Sequence, residues 1–143
     1  MTIDQLSVFV ENEPGRLAEV TEVLGKADVD LRAMSLADAR DFGVLRVIVS
    51  DPRRASEVLK DAGHAVTVTQ VLAVSIEDKP GSLAGILRVL ADAGVSVEYL
   101  YAFITREKGN AYVILRVEDN ARATEIFRRH DIKTVAANEI YDL

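Results

Sequence analysis

The sequence contains two copies of one pattern, and this duplication limits the possible folds more than any other feature. Residues 11–18 read ENEPGRLA and residues 77–84 read EDKPGSLA, so the two Pro-Gly pairs stand 66 positions apart (80 − 14 = 66). The offset persists through position 48 and becomes 68 from position 55. It therefore predicts two extra residues (68 − 66 = 2) between the third strand and the last helix of copy two. Duplication of a whole β/α unit predicts two small tandem domains rather than a solenoid.

Copy one has the pattern of a compact α/β unit. Alternating apolar residues predict a strand at 6–11, and an apolar stripe after Pro14 predicts a helix. Strands follow at 30–38 and 44–49, a second helix starts at Asp51-Pro52, and a closing strand covers 66–69. The order β-α-β-β-α-β is that of the ferredoxin-like split βαβ unit, an α+β fold.

Copy two repeats this order. Its strands are predicted at 71–77, 95–105, 110–117 and 133–137, and its helices at 81–93 and 119–130. Residues 66–76 form a β-type run without Gly or Pro, so no flexible linker separates the copies. We predict two domains, 1–70 and 71–143, coupled through one extended antiparallel sheet.

Charge and composition exclude several classes of function. Residues 1–70 carry 8 basic and 12 acidic side chains and residues 71–143 carry 9 and 11, which gives −4 and −2 and the total of −6. An acidic balance in both halves argues against nucleic-acid and membrane partners, which need a basic surface. The absence of cysteine excludes thiolate catalysis and cysteine zinc sites, and His64 and His130 lack ligand spacing, so no metal and no cofactor is expected. The start of the chain lacks a signal-peptide pattern, and we expect a cytoplasmic protein.

The two Pro-Gly turns carry the most suggestive chemistry. A strand-to-helix turn offers backbone N–H groups and the positive end of a helix dipole, which suit a carboxylate. The side-chain oxygen of Asn12 or Asp78 can accept from an ammonium group, so each turn suits a free α-amino acid. The alternative is that Asn12 and Asp78 only cap the helices that follow.

These residues resemble the ACT domain, a βαββαβ ligand-binding module often attached to enzymes of amino-acid metabolism. The resemblance covers the whole chain twice, through a D/N-x-P-G-x-L turn after strand one and a Gly-initiated third strand at 43–47 and 109–113. Residues 71–74 and 99–103 also resemble those of stand-alone tandem ACT proteins. The resemblance implies a non-catalytic, amino-acid-binding regulatory protein that forms a homodimer or higher homo-oligomer and acts on a partner enzyme of amino-acid metabolism.

The resemblance also implies where an amino acid would bind, namely at the turn and at the start of strand two, often across an interface between units. In copy one it implicates Asn12, Glu13, Pro14, Gly15, Arg16, Leu17 and Asp30. In copy two it implicates Asp78, Gly81, Ser82, Leu83 and Ser96. We favour the site at Asn12, where Arg16 could meet the ligand carboxylate or could simply be a solvated first-turn charge.

The second strand of copy two differs from its counterpart. Tyr99, Tyr101 and Phe103 stand where copy one has Ala33, Ser35 and Ala37, and period two places each trio on one sheet face. Tyr99 and Tyr101 could wall a ligand pocket or a subunit interface. Alternatively, Tyr99 and Phe103 fill the core under the helices.

Other classes of function fit less well. Residues 11–15 resemble the opening of the regulatory small subunit of acetohydroxyacid synthase, but that family follows one ACT module with a different C-terminal domain. An enzyme is not expected, because no nucleophile and base stand at motif spacing and no Gly-rich phosphate loop is present. RNA-binding modules share this topology but stack bases on third-strand aromatics in basic surroundings, and this acidic chain does not match.

Overall fold

The computed structural model describes residues 2–37, 40–104 and 108–143. Its strands are β1 (Ile3–Glu11), β2 (Leu31–Ala37), β3 (Phe42–Val49), β4 (Ala65–Glu77), β5 (Val97–Ile104) and β6 (Asn110–Val117). Its helices are α1 (Arg16–Lys26), α2 (Pro52–Asp61), α3 (Ser82–Asp92), α4 (Asn120–Arg129) and α5 (Ala137–Tyr141). The predicted strand ends at Asp38 and Thr105 lie outside the described residues. The predicted α+β class, with tandem βαββαβ units, is confirmed.

The first compact unit consists of Asp4–Thr69 together with Asn138–Leu143. In it β3 lies between β1 and β2, and both pairings are antiparallel. One face of this sheet packs on α1 and α2, because alternate strand residues and one stripe of each helix are apolar. The buried core includes Leu6, Val8, Val47, Leu24 and Leu59.

The second compact unit consists of Gln70–Ala137 together with the first residues of the chain. Here β6 lies between β4 and β5, again with antiparallel pairing. Leu72, Leu115, Leu90 and Phe127 are among the buried residues that join this sheet to α3 and α4. The grouping differs from the sequence boundaries at the termini, since residues 138–143 belong with the first unit.

The predicted closing strand at 133–137 is largely wrong. Only a single antiparallel bridge joins Thr134 to Val74, and α5 begins at Ala137. Thr134 and Val135 have the β-branched side chains that favour a strand, whereas Ala136 and Ala137 favour a helix. The β-type conformation therefore stops after the bridge.

The position of the two-residue insertion also differs from the prediction. Ala37 pairs with Val44 in copy one, whereas Phe103 pairs with Tyr112 in copy two. The residue numbers of equivalent positions in the two copies therefore differ by 66 before the hairpin turn (103 − 37) and by 68 after it (112 − 44). The extra residues lie in the β5–β6 hairpin, not between the third strand and the last helix. The glycines at 43 and 109 are thus not equivalent, because the first lies within β3 and the second in a turn.

The short helix α5 is attached to the first unit by its tyrosine. The hydroxyl of Tyr141 accepts the backbone N–H of Asp4 at 2.8 Å, and its carbonyl accepts the guanidinium of Arg32 at 2.8 Å. Burial raises the pKa of the Tyr141 hydroxyl. These bonds explain why the last residues of the chain belong to the unit that contains β1 and β2.

Candidate functional site

Both Pro-Gly turns place glycine in a left-handed backbone conformation. The φ angles are 89° at Gly15 and 91° at Gly81, a region that other residues rarely adopt. The backbone N–H groups of Asn12 and Asp78 donate to carbonyls of the neighbouring β-hairpin, at 2.9 and 2.8 Å. The two turns therefore have the same backbone design, with Pro14 and Gly15 exposed at the surface in copy one.

Neither Asn12 nor Asp78 caps the following helix, so this alternative for the two residues is wrong. The glycine of each turn is the N-cap residue, and no side chain of the described residues caps α1 or α3. By contrast, Asp51 and Asp119 cap α2 and α4, each accepting a backbone N–H at 3.1 and 3.0 Å. The Asn12 amide nitrogen instead donates to the Arg40 carbonyl at 3.4 Å. The Pro-Gly pair separates Asn12 from the helix, and this leaves the first turn of α1 open.

A cavity of about 370 Å³ lies beside the first turn. Three of the residues predicted for the site, Asn12, Glu13 and Leu17, line it. Sequence reasoning missed the other five, which are Val10, Glu11, Leu36, Ala37 and Gly43. A volume of this size is within the range of small-molecule sites.

The strand register explains why these five residues join the turn. Glu11 at the end of β1 pairs with Phe42 at the start of β3, and Ala37 at the end of β2 pairs with Val44. Therefore β2 ends, and β3 begins, at the same end of the sheet as the turn that contains Asn12. The sequence did contain a signal for these residues, namely the predicted hairpin of strands two and three. In an antiparallel sheet the tip of that hairpin lies beside the end of strand one.

Asp30 and Ser96 are not brought to the turns of their own units. Asp30 directly precedes β2, whose first residue Leu31 pairs with Val49 at the far end of β3. At about 3.4 Å per residue, the length of β2 separates Asp30 from the Asn12 turn by roughly 20 Å. The Asp30 carboxylate binds Arg32 at 2.6 Å. Ser96 lines a different cavity of about 170 Å³ in its own unit.

Arg16 is surrounded by carboxylates. Its guanidinium lies 3.4 Å from Glu11, 3.6 Å from Glu13 and 3.4 Å from Glu19. The hydrogen bond that Arg16 donates to Glu19, together with the charges of all three glutamates, raises the pKa of Arg16. Arg16 borders a second cavity of about 300 Å³ with Phe9 and other residues, not the cavity that Asn12 lines. Because three glutamates already share its charge, Arg16 is not available to bind a ligand carboxylate.

The second turn has different side-chain chemistry at the same backbone positions. Lys79, at the position of Glu13, lies 2.5 Å from Glu77, and this contact lowers the pKa of Glu77. Ser82 stands where copy one has Arg16. Leu83 packs against the apolar core of its unit, whereas its counterpart Leu17 remains 38% exposed at the cavity. The apolar residue that borders a cavity in copy one is thus partly buried against the core in copy two.

Tyr99 and Tyr101 lie on the sheet face opposite α3 and α4. Leu100, which lies between them in β5, packs against the core under the helices, so the tyrosines point the other way. Tyr101 is buried, and Phe103 packs edge-to-face on Tyr112 with ring centroids 5.4 Å apart. The interpretation that Tyr99 and Phe103 fill the core under the helices is therefore wrong.

Two further classes of site find no support in residues 2–37, 40–104 and 108–143. No three acidic or histidine side chains in these ranges are arranged to hold a metal ion. None of the helices in the same ranges has the length and apolar character that crossing a membrane requires.

Comparison with known proteins gives a consistent family match. The model of the family described as ACT domain pair matches residues 1–143. The crystal structure of protein BT0572 from Bacteroides thetaiotaomicron is 41% identical, with a TM-score of 0.94, over 100% of this chain and 98% of that one. Among proteins with curated descriptions, none matches the sequence.

More distant structures share the fold. The regulatory subunit of aspartate kinase from Thermus thermophilus is 15% identical over 88% of this chain and 91% of that one, with a TM-score of 0.63. The corresponding subunit from Thermus flavus is 17% identical over 88% and 90%, with a TM-score of 0.59. At these identities the likeness concerns the fold alone.

Proposed function

Because the chain belongs to the ACT domain pair family, we propose that it is a non-catalytic regulatory module that binds a free amino acid beside its first Pro-Gly turn. One observation carries the proposal. A cavity of about 370 Å³ lies next to the N-terminus of α1, and no side chain of the described residues caps that helix. Uncapped first-turn N–H groups and the helix dipole favour a carboxylate at this place.

The lining residues suggest how the rest of an amino acid fits. With the ligand carboxylate on the amides of Leu17 and Ala18, the α-ammonium group faces Asn12 and Glu13. The Asn12 nitrogen donates to the Arg40 carbonyl, which leaves the Asn12 side-chain oxygen to accept from the ammonium group. The ligand side chain then lies against the apolar part of the cavity.

The first copy is the better candidate of the two. At the second turn Lys79 contacts Glu77, so a cation already occupies the position where the ligand ammonium group would sit. Leu83 also packs against the core there and is partly buried. We therefore assign binding to copy one and a structural role to the second turn, including Asp78, Gly81 and Ser82.

Regulation requires that the ligand bind two states of the protein with different affinity. We propose that the bound amino acid favours one state, which a partner enzyme of amino-acid metabolism recognises. Assembly into a homodimer or a higher homo-oligomer, and residence in the cytoplasm, belong to the same proposal. Asp30 and Ser96 would join a ligand site only through such an assembly.

A thermal-shift screen of the standard amino acids tests the proposal. A ligand at about 100-fold its Kd stabilises a protein by roughly 2.7 kcal/mol, which raises the Tm by several degrees at this chain length. We expect one class of amino acid to give this shift, Asn12→Ala to abolish it, and the matched variant Asp78→Ala to retain it. Absence of a shift with every amino acid would refute the proposal.

A further inference from the structure

We infer that the cavity at the first turn is specific for amino acids with an uncharged aliphatic side chain, and that Glu11 and Glu13 exclude those with an acidic side chain. The inference rests on the proposed function and goes further by naming the class of ligand. It depends on the charges around the cavity, on its apolar wall and on the contrast with the second copy.

The charges around the cavity are negative. Among the described residues that line it, the only charged side chains are Glu11 and Glu13, which are 50% and 62% exposed. The nearby Arg16 contacts both and also Glu19. Three carboxylates and one guanidinium leave a net charge of −2 (1 − 3 = −2). One carboxylate of the ligand can use the N–H groups of α1, but a second one meets surroundings with a net negative charge.

The remaining wall is hydrocarbon. Val10, Leu17, Leu36 and Ala37 supply it, and Leu36 is 52% exposed. A large apolar side chain left half exposed at a cavity gains stabilisation when another apolar group covers it. A ligand with an aliphatic side chain provides that cover, whereas a polar or ionic one does not.

Gly43 keeps Leu36 at this wall. A Cβ atom at position 43 would lie 3.0 Å from Cδ1 of Leu36 and 3.3 Å from the carbonyl oxygen of Ala37. The backbone of β3 thus approaches Leu36 as closely as glycine permits. Gly43 and Leu36 both line the cavity, so a side chain at position 43 would displace part of this wall.

The second copy shows which single residue changes the charge of a turn. Lys79 occupies the position of Glu13 (79 − 13 = 66) and contacts the glutamate at the position of Glu11. Glu13→Lys therefore gives the first turn the pair that the second turn already holds in the same backbone setting. The variant changes the local charge by +2 without inventing a new local structure.

The test measures binding of leucine, asparagine and aspartate by isothermal titration calorimetry. The three side chains have similar shapes, so asparagine against aspartate isolates the charge and leucine against asparagine isolates the apolar contact. For the unmodified protein we expect leucine to bind tightest and asparagine to bind about tenfold tighter than aspartate. Lysine is included as the cationic ligand and is expected to bind more weakly than leucine.

Two variants at position 13 and one control complete the test. Glu13→Gln removes the charge without adding a cation, and it is expected to reduce the discrimination between asparagine and aspartate severalfold. Glu13→Lys puts a cation where the ligand ammonium group would sit, as Lys79 does in copy two, and it is expected to weaken the binding of all four amino acids. The control Glu22→Lys, which makes the same change at an exposed site on α1 that lines none of the cavities described above, should leave the ratio unchanged. Circular dichroism spectra would verify that each variant is folded.

The outcomes separate the two proposals. If aspartate or lysine binds as tightly as leucine, or if Glu13→Gln leaves the ratio of asparagine to aspartate affinity unchanged, the ligand class is wrong while the proposed function stands. If no amino acid produces a binding heat or a thermal shift, both proposals fail.

Discussion

Asp28 and Gly94 occupy the same position after the first helix of each copy (94 − 28 = 66), and both have a left-handed backbone, with φ of 57° and 75°. Copy two uses the residue that tolerates this conformation, whereas copy one uses an aspartate. The aspartate also places a negative charge near the C-terminal end of α1, where the helix dipole is negative.

We therefore expect Asp28→Gly to stabilise the protein by about 0.5–1 kcal/mol, because glycine adopts a positive φ without steric strain. The reverse substitution, Gly94→Asp, should destabilise it by a similar amount. A steric clash would not cause this loss of stability, since a Cβ at position 94 would meet only the Arg122 guanidinium at 3.9 Å. Urea denaturation measures both changes, and a loss of stability in Asp28→Gly would contradict the argument.

The helix start that a side chain caps and the one that no side chain caps predict different results for alanine substitutions. Asp51→Ala removes the acceptor for the Arg54 backbone N–H and should lower the free energy of unfolding by about 1 kcal/mol. Asn12→Ala removes no cap bond and should change it by less than about 0.5 kcal/mol in the absence of ligand. Chemical denaturation of the unliganded protein compares them, and equal losses would mean that Asn12 supports the fold after all.

Gly43→Ala should damage the cavity more than the fold. The added Cβ forces Leu36 away from β3, so we expect amino-acid binding to weaken by about tenfold and the free energy of unfolding to fall by about 1 kcal/mol. The matched control is Gly25→Ala, where nothing lies within 4 Å of the added atom. That change is in the last turns of α1 and should stabilise the helix modestly. Unchanged ligand affinity in Gly43→Ala would show that the Leu36 wall is not part of the site.

Acid should weaken α4 in a defined pH window. The Arg128 hydrogen bond, assisted by Arg129, lowers the pKa of Glu125 from 4.5 to about 2. A carboxyl whose pKa is lower in the folded state stabilises the fold above its unfolded pKa, and the contribution is lost as the pH falls through the folded value. We expect the loss between pH 4.5 and about 2.

Two measurements check this window. The Glu125 carboxyl can be titrated by NMR, and the stability of Glu125→Gln can be compared with the unmodified protein at pH 7 and pH 3. The control is Glu57→Gln, which removes a longer contact, 3.7 Å from Arg53. A Glu125 pKa near 4.5 in the folded protein would contradict the assignment.

The duplication could be read from the sequence because local chemistry carries it. Pro14, Gly15 and their counterparts require the same turn, and apolar periodicity specifies the strands and helices around them. The site of the insertion could not be read, since chance matches such as Val47 with Val113 kept the apparent offset at 66. The strand pairing of the structure shows the true equivalence. Val47 pairs with Leu6 and Leu115 pairs with Leu72, so the insertion lies in the hairpin.

The candidate site was predictable only in part for a similar reason. Asn12, Glu13 and Leu17 belong to a local motif, but Leu36 and Gly43 reach the cavity through cross-strand pairing. The role of Arg16 depended on where three glutamate side chains point, which spacing along the chain does not define. The helix α5 was not predicted, because five residues are too few to show a helical periodicity in the sequence.

The bonds that Tyr141 makes with Asp4 and Arg32 have a consequence for the order in which the chain acquires its structure. Residues 70–137, which make up most of the second unit, are all synthesised before Tyr141. The first unit therefore emerges first but is completed last, and until then β1 and β2 lack the hydrogen bonds that α5 supplies. A fragment limited to the first repeat would remain in that unfinished state permanently.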